Sequence, residues 1–184
     1  MVFAYFGYLL IYMLSIYTDG GCACNGQADA LGATGVVAIK DDEEIFAHSQ
    51  TYIGTTNNRM EYRALVFAMR LAIKNNLQEV TFYTDSNLLV QTLTTWMYGW
   101  RKNGWKKKTS PKKIKNLDLV LHLWELKEQL PRAKFCWVKG HAENEWNNRA
   151  DELATDFDPS SALPDDYDWA ILDKHGVRAN LAHK

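Results

Sequence analysis

Cysteine is scarce in this 184-residue chain and poorly spaced for structural work. Cys22, Cys24 and Cys136 are an odd number with no C-x-x-C pair. That excludes a disulfide framework and a zinc site of the usual spacing, and it points to a reducing compartment, the cytoplasm. Internal repeats are also lacking. The formal net charge is only -1, so no charge of one sign marks the chain as a whole for a polyanionic or polycationic partner. The opening run MVFAYFGYLLIYMLSIY has no charged side chain before Asp19. It also lacks the basic n-region and small-residue cleavage site of a signal peptide. Its apolar stretch falls short of the roughly 20 residues that span a bilayer, so no membrane attachment is expected. Met13 offers an alternative start, and residues 1–12 are read as an apolar extension outside the domain.

With 47% hydrophobic and 23% charged residues, the chain suits one soluble α/β-sized domain rather than two. Charge is concentrated locally. Residues 101–115 hold eight of the 21 basic side chains and no acidic one, which leaves 13 basic against 22 acidic elsewhere. Such a block is either a footprint for a polyanion or a solvated lysine-rich loop.

Strand and helix patterns alternate along the chain. LSIYT (14–18), TGVVAIK (34–40), EIFAHSQTYI (44–53), VTFYT (80–84) and AKFCWV (133–138) read as five strands, the second and third joined by the acidic turn Asp41-Asp42-Glu43. Met60, Ala64, Phe67 and Leu71 recur at helical spacing after the polar TTNN. Ser86 is placed to cap a helix through NLLVQTLTTWM, LDLVLHLWELKEQL forms another that Pro131 closes, and a last helix runs around Trp146, Ala150, Leu153 and Phe157. From Pro159 onward no period is visible, and residues 158–184 read as a loosely attached tail.

This layout places four acids. Asp19 and Asp85 follow strands, while Glu61 and Asp151 lie in the first turns of helices. The crevice beyond the carboxyl ends of strands is where α/β sheets bind ligands, and helix starts can border the same edge. Four carboxylates meeting there would repel unless a cation joins them. An all-oxygen donor set suits magnesium, and two such ions about 3.5–4 Å apart can drive phosphodiester hydrolysis. Taken singly, each aspartate is an ordinary turn former or cap, and His141 an ordinary loop histidine.

The local contexts YTDGG, TTNNRMEYRA, YTDSN and GHAENEWNNRADELA, in that order, resemble ribonuclease H of the type 1 family over residues 13 to about 156. The resemblance implies an α/β, ribonuclease H-like fold with a mixed five-stranded sheet, three antiparallel strands and then parallel ones, flanked by helices. It implies a catalytic domain over 13–157 with a basic protrusion at about 96–116, as in bacterial members. Asp19, Glu61, Asp85 and Asp151 then match the metal-binding acids, holding two Mg2+ with Mn2+ as a substitute. His141 matches the loop histidine that assists proton transfer or product release. The implied reaction hydrolyses the RNA strand of an RNA/DNA hybrid, leaving 5'-phosphate and 3'-hydroxyl ends, and the implied enzyme is a monomer.

For the substrate, Thr56 and Asn116 match the family's phosphate pocket. Asn25, Asn57, Asn58 and Asn87 match the amides that read 2'-hydroxyls and bases in the minor groove, where RNA and DNA differ. Trp96, Trp100 and Trp105, interleaved with Lys106 and Lys107, match the hybrid-gripping protrusion, although Trp96 and Trp100 are also at the i, i+4 spacing of packed helix residues. The stretch after the first aspartate, GCACNGQADALGATG, is longer than the family's and lacks its proline. A four-acid exonuclease would place a glutamate two residues after the first aspartate, where this chain has Gly21. A binding module without catalysis would be expected to lack an acid.

Replacing Lys106, Lys107 and Lys108 with neutral residues is expected to weaken hybrid binding. It should also flatten the salt dependence by about 0.7–0.9 in the log–log slope for each phosphate those lysines neutralise. A slope unchanged in a binding titration across salt concentrations would make the block a solvated loop.

Overall fold

Alternation along the first strand turns Ile16 toward one hydrophobic cluster and Tyr17 toward another, because successive side chains of a strand point to opposite faces. A computed structural model describes residues 14–77, 79–108, 110, 112–140 and 143–178; the apolar extension at 1–12 lies outside them. Strands β1 (Leu14–Cys22), β2 (Leu31–Lys40) and β3 (Glu43–Ile53) form an antiparallel meander. β4 (Val80–Thr84) adds in parallel to β1, and β5 (Lys134–Trp137) in parallel to β4. A two-residue strand, β6 (Leu163–Pro164), pairs in parallel with β3, so the sheet order is β5-β4-β1-β2-β3-β6. Six strands therefore stand where five were expected, the sixth being too short to show a period.

Helix α1 (Asn57–Lys74) and α4 (Leu117–Gln129) cover the Ile16 face, where Leu65, Met69, Leu121 and Phe82 are buried. α5 (Glu145–Thr155) covers the Tyr17 face through Ala150. Two glycines set how closely these helices approach. A Cβ on Gly20 would overlap the α1 backbone at Met60 and Glu61, and one on Gly35 would overlap the α5 backbone at Ala150. Gly35 is the cross-strand partner of Asp19, so both helices meet the sheet at the residue that opens the acidic series.

Between β4 and α4 the chain forms α2 (Asn87–Gln91), a π-helical turn (Thr92–Trp96) and α3 (Met97–Lys102), followed by the basic segment. Trp105 differs from expectation. It adopts a left-handed backbone with φ 58°, is only 6% exposed, and packs edge to face on Trp124 and His175 at 5.9 and 6.0 Å. Its ring is part of the core, so it offers no free face to a hybrid.

Residues 163–177, within the tail expected to be loose, are packed. α6 (Trp169–Lys174) packs on α4, and Ile171, Leu172 and Val177 are buried. Asp165 accepts hydrogen bonds from Arg59 Nε at 2.6 Å, Arg63 Nε at 2.6 Å and Thr55 Oγ1 at 2.6 Å. Arg59 donates on its other side to both oxygens of Asp118, at 3.1 and 3.0 Å. Sequence periodicity cannot show such a network, because it joins residues 106 positions apart. No helix among the described residues is long and apolar enough to cross a membrane.

Burial opposes the charge of Asp165, but hydrogen bonds from Arg59 and Thr55 outweigh it and hold the carboxyl below its ordinary value. Asp165→Ala is expected to destabilise the fold by about 3–5 kcal/mol, since it removes one partner of a buried charge network. A depressed folded-state value means that the wild-type contribution is full above the unfolded carboxyl value of about 3.9 and fades as pH falls through the folded one. Urea denaturation at pH 7 and pH 3 checks both, and the gap between variant and wild type should shrink at the lower pH.

Candidate active site

Asp19 occupies β1 one residue before the close approach at Gly20, whose backbone N–H donates to Asp19 Oδ1 at 2.7 Å. Thr56 caps α1, its hydroxyl accepting from Arg59 N at 3.4 Å. One turn on, Glu61 is held at both oxygens. Asn57 Nδ2 donates to Oε1 at 3.1 Å, and the Ser86 hydroxyl donates to Oε2. Ser86 also caps α2 by accepting from Leu89 N at 3.4 Å. Only the cap is visible from the sequence. The tie to Glu61 joins the cap of α2 to α1, residues 25 positions apart, and leaves no local signal beyond the T-D-S context.

Asp85 follows β4, and Gly140 packs against its carboxylate closely enough that a Cβ there would overlap Oδ2. Asp151 lies in the second turn of α5, whose N-cap Asn144 accepts from Asn147 N at 3.0 Å. Asp19, Glu61, Asp85 and Asp151 line one cavity of about 360 Å3, together with Asn57 and Cys22.

The electrostatics are those of crowded like charges. Burial, followed by the neighbouring Asp85, pushes the Asp19 carboxyl up to about 7; the Gly20 N–H pulls it back, and Asp151 and Glu61 push it further. Burial also raises Glu61, the Ser86 hydroxyl lowers it, Asp85 raises it and the Asn57 amide lowers it. Among the described residues the acids are not closed into a ready cluster of metal ligands; they face one another across a shared cavity, as repelling carboxylates do. A hard divalent cation fits this wall of oxygens and would relieve the repulsion.

The other expected site residues divide into groups. Asn25 Oδ1 accepts from Asn57 N at 3.3 Å, joining the β1–β2 loop to the start of α1 beside Glu61. Asn58 and Asn87 are exposed at the starts of α1 and α2. Asn116 precedes α4 in a left-handed conformation with φ 53° and makes no side-chain cap. Trp96 is 38% exposed and lies 6.0 Å from Trp100, their planes 41° apart. Lys106 is exposed and Lys107 half-buried. His141 falls outside the described residues.

A family model described as RNase H matches residues 12–157. Ribonuclease HI of Haemophilus influenzae is 40% identical over 144 residues, covering 77% of this chain and 86% of that protein. Ribonuclease H of Salmonella arizonae is 40% identical over 146 residues, covering 79% and 88%. Among solved structures, LC9-RNase H1, described as a type 1 RNase H with the type 2 active-site motif, superposes with a TM-score of 0.71 at 25% identity over 92% of this chain and 84% of that one. The PFV RNase H domain shares the fold, with a TM-score of 0.68 at 23% identity over 78% and 93%.

Asp19→Asn keeps the shape of the side chain and its acceptor for Gly20 N–H while removing the charge. A raised folded-state value means that the wild-type carboxylate costs stability above its unfolded value of about 3.9, fully so beyond about pH 7. In chelator-containing buffer the variant is therefore expected to be more stable than wild type at pH 8, by on the order of 1–4 kcal/mol. The gain should vanish toward pH 4. Equal denaturation midpoints at pH 8 would contradict the crowded-charge account.

Proposed function

The chain belongs to the bacterial type 1 ribonuclease H family and is an enzyme of that class, and from this premise we propose that it is an endonuclease cutting the RNA strand of RNA/DNA hybrids with two Mg2+ ions. The observation that carries the reading is the convergence of Asp19, Glu61, Asp85 and Asp151, from four separate elements, on one cavity. These four residues would hold the ions, with Mn2+ able to replace Mg2+. Bound there, the ions would supply an activated water and charge stabilisation at the leaving oxygen, giving 5'-phosphate and 3'-hydroxyl ends.

The protein's own groups prepare the site. Ser86 and Asn57 fix both oxygens of Glu61, so its carboxylate meets a ligand without rotamer loss. Asn57 would then tie substrate reading to metal holding, because its side-chain amide donates to Glu61 while its backbone N–H donates to Asn25, beside the exposed Asn58. These amides, with Asn87, would hydrogen-bond 2'-hydroxyls and base edges. Thr56 and Asn116 would hold a phosphate, and Trp96, Trp100, Lys106 and Lys107 would grip the duplex outside the cut. His141 would move a proton or help product leave, as suits a group titrating near working pH. The enzyme would work as a cytoplasmic monomer.

The test is cleavage of a 5'-labelled RNA strand annealed to DNA, with single-stranded RNA and duplex DNA alongside, with and without magnesium. Internal cutting of the hybrid alone, dependent on metal and lost in Asp19→Asn, is the expected result. Substantial residual cutting by that variant, at wild-type-like fold, would defeat the four-acid site. A version starting at Met13 run beside the full chain should cut equally well if residues 1–12 play no part.

A further inference from the structure

Trp137 is anomalous for a residue in a sheet. It ends β5 and is 52% exposed, one of the most exposed large apolar side chains among the described residues. Tryptophan is a side chain that binding surfaces favour, because its large rigid ring offers contact area while its N–H keeps a polar partner. Two constraints fix its ring. In the parallel register it lies beside Thr84, the residue before Asp85, and Val138 N donates to Thr84 O at 3.0 Å. The indole Nε1–H donates to the backbone carbonyl of Asp85 at 2.9 Å. Its single polar atom is thus committed, and the solvent-facing remainder is an apolar ring held against a residue of the acidic site.

The surroundings suit nucleic acid. Gly140, three residues on, packs against the Asp85 carboxylate, so the strand end passes from the Trp137 ring directly to the cavity. Lys139 between them is exposed. On the neighbouring helix, which packs on β5, Asn87 and Leu88 are also exposed. A fixed aromatic face, a long-reaching ammonium and an amide beside a phosphodiester site form the combination that stacks a nucleotide and holds its phosphate.

We propose that Trp137 is a substrate-binding residue whose indole face stacks on a nucleotide of the hybrid flanking the scissile phosphate, on the Asp85 side of the cavity. This rests on the hybrid-cutting function proposed above. The indole N–H bond sets the ring's orientation, and the exposed face makes the contact.

Two substitutions separate the face from the N–H. Trp137→Phe keeps an aromatic face and loses the donor; Trp137→Leu loses both. Steady-state cleavage of the hybrid is measured for each, with thermal denaturation to confirm folding. Trp137→Leu is expected to raise KM by about tenfold or more, as loss of one base stack does, with kcat within about a factor of two. Trp137→Phe should stay within about threefold of wild-type KM. As a direct readout, a fluorescent base analogue placed beside the cut site is mixed with each variant in the non-cutting Asp19→Asn background. Quenching by the form that retains Trp137 and by the Trp137→Phe variant, but not by Trp137→Leu, supports stacking.

Equal losses in Trp137→Phe and Trp137→Leu, or a fall in kcat alone, would overturn the proposal and leave Trp137 as a prop for Asp85. Wild-type KM in Trp137→Leu would overturn it outright. Failure of the wild-type chain to cut hybrid would instead remove the functional reading on which the proposal rests, so the two failures are distinguishable.

Discussion

The site depends on backbone-to-backbone contact between a strand and the helices on its two sides. Asp19 stands between Gly20, which meets α1 at Met60 and Glu61, and its cross-strand partner Gly35, which meets α5 at Ala150. Any side chain at these glycines would hold the helices away by the width of a methyl group, and Glu61 and Asp151 would retreat with them. Carboxylates do not gather unaided, since their mutual repulsion and desolvation oppose it. Here the gathering is imposed by packing of an apolar core, and the raised Asp19 records the electrostatic strain that results. The stability of the sheet therefore holds the charges in a geometry they would not choose.

A second charge system works in the opposite sense. Arg59, Arg63, Asp118 and Asp165 are buried or nearly so and satisfy one another, and they surround the start of α1 from the side away from the cavity. The helix that carries Asn57, Asn58 and Glu61 is thus fixed at one side by matched charges and exposed at the other to unmatched ones. Such an arrangement keeps the cavity-facing carboxylate of Glu61 rigid, which pre-organised catalysis requires.

Much of this was legible in the sequence, for a physical reason. Strand-Asp-Gly, N-N-R-M-E and T-D-S are short contiguous contexts that, taken together and in order, carry the resemblance to the type 1 ribonuclease H family, although each acid alone reads as a turn former or cap. The first five strands and the main helices likewise have periods that survive reading alone. What escaped is non-local. β6 and α6 are too short to show a period and are recognised by partners, Tyr52 for Leu163 and α4 for Leu172. Ser86 is the cap that the sequence suggests, but its second bond crosses to Glu61 and leaves no local signal. Trp105 looked like its neighbours in a basic, aromatic-rich stretch, yet a single left-handed residue turns it into the core. Trp137 carried no signal, because its meaning lies in a bond to a carbonyl 52 positions earlier.

The lock between Arg59 and Asp165 also bears on how the protein is made. A chain emerging from the ribosome exposes α1 long before Asp165, which follows Arg59 by 106 residues. Until that aspartate arrives, two arginines at the start of α1 lack the carboxylate they share, and Thr55, just ahead of the helix, lacks its acceptor. Domains fold largely as units once their closing contacts are available. A nascent chain that has not yet delivered Asp165 therefore holds all four site acids while Arg59, Arg63 and Thr55 still lack the carboxylate that joins them.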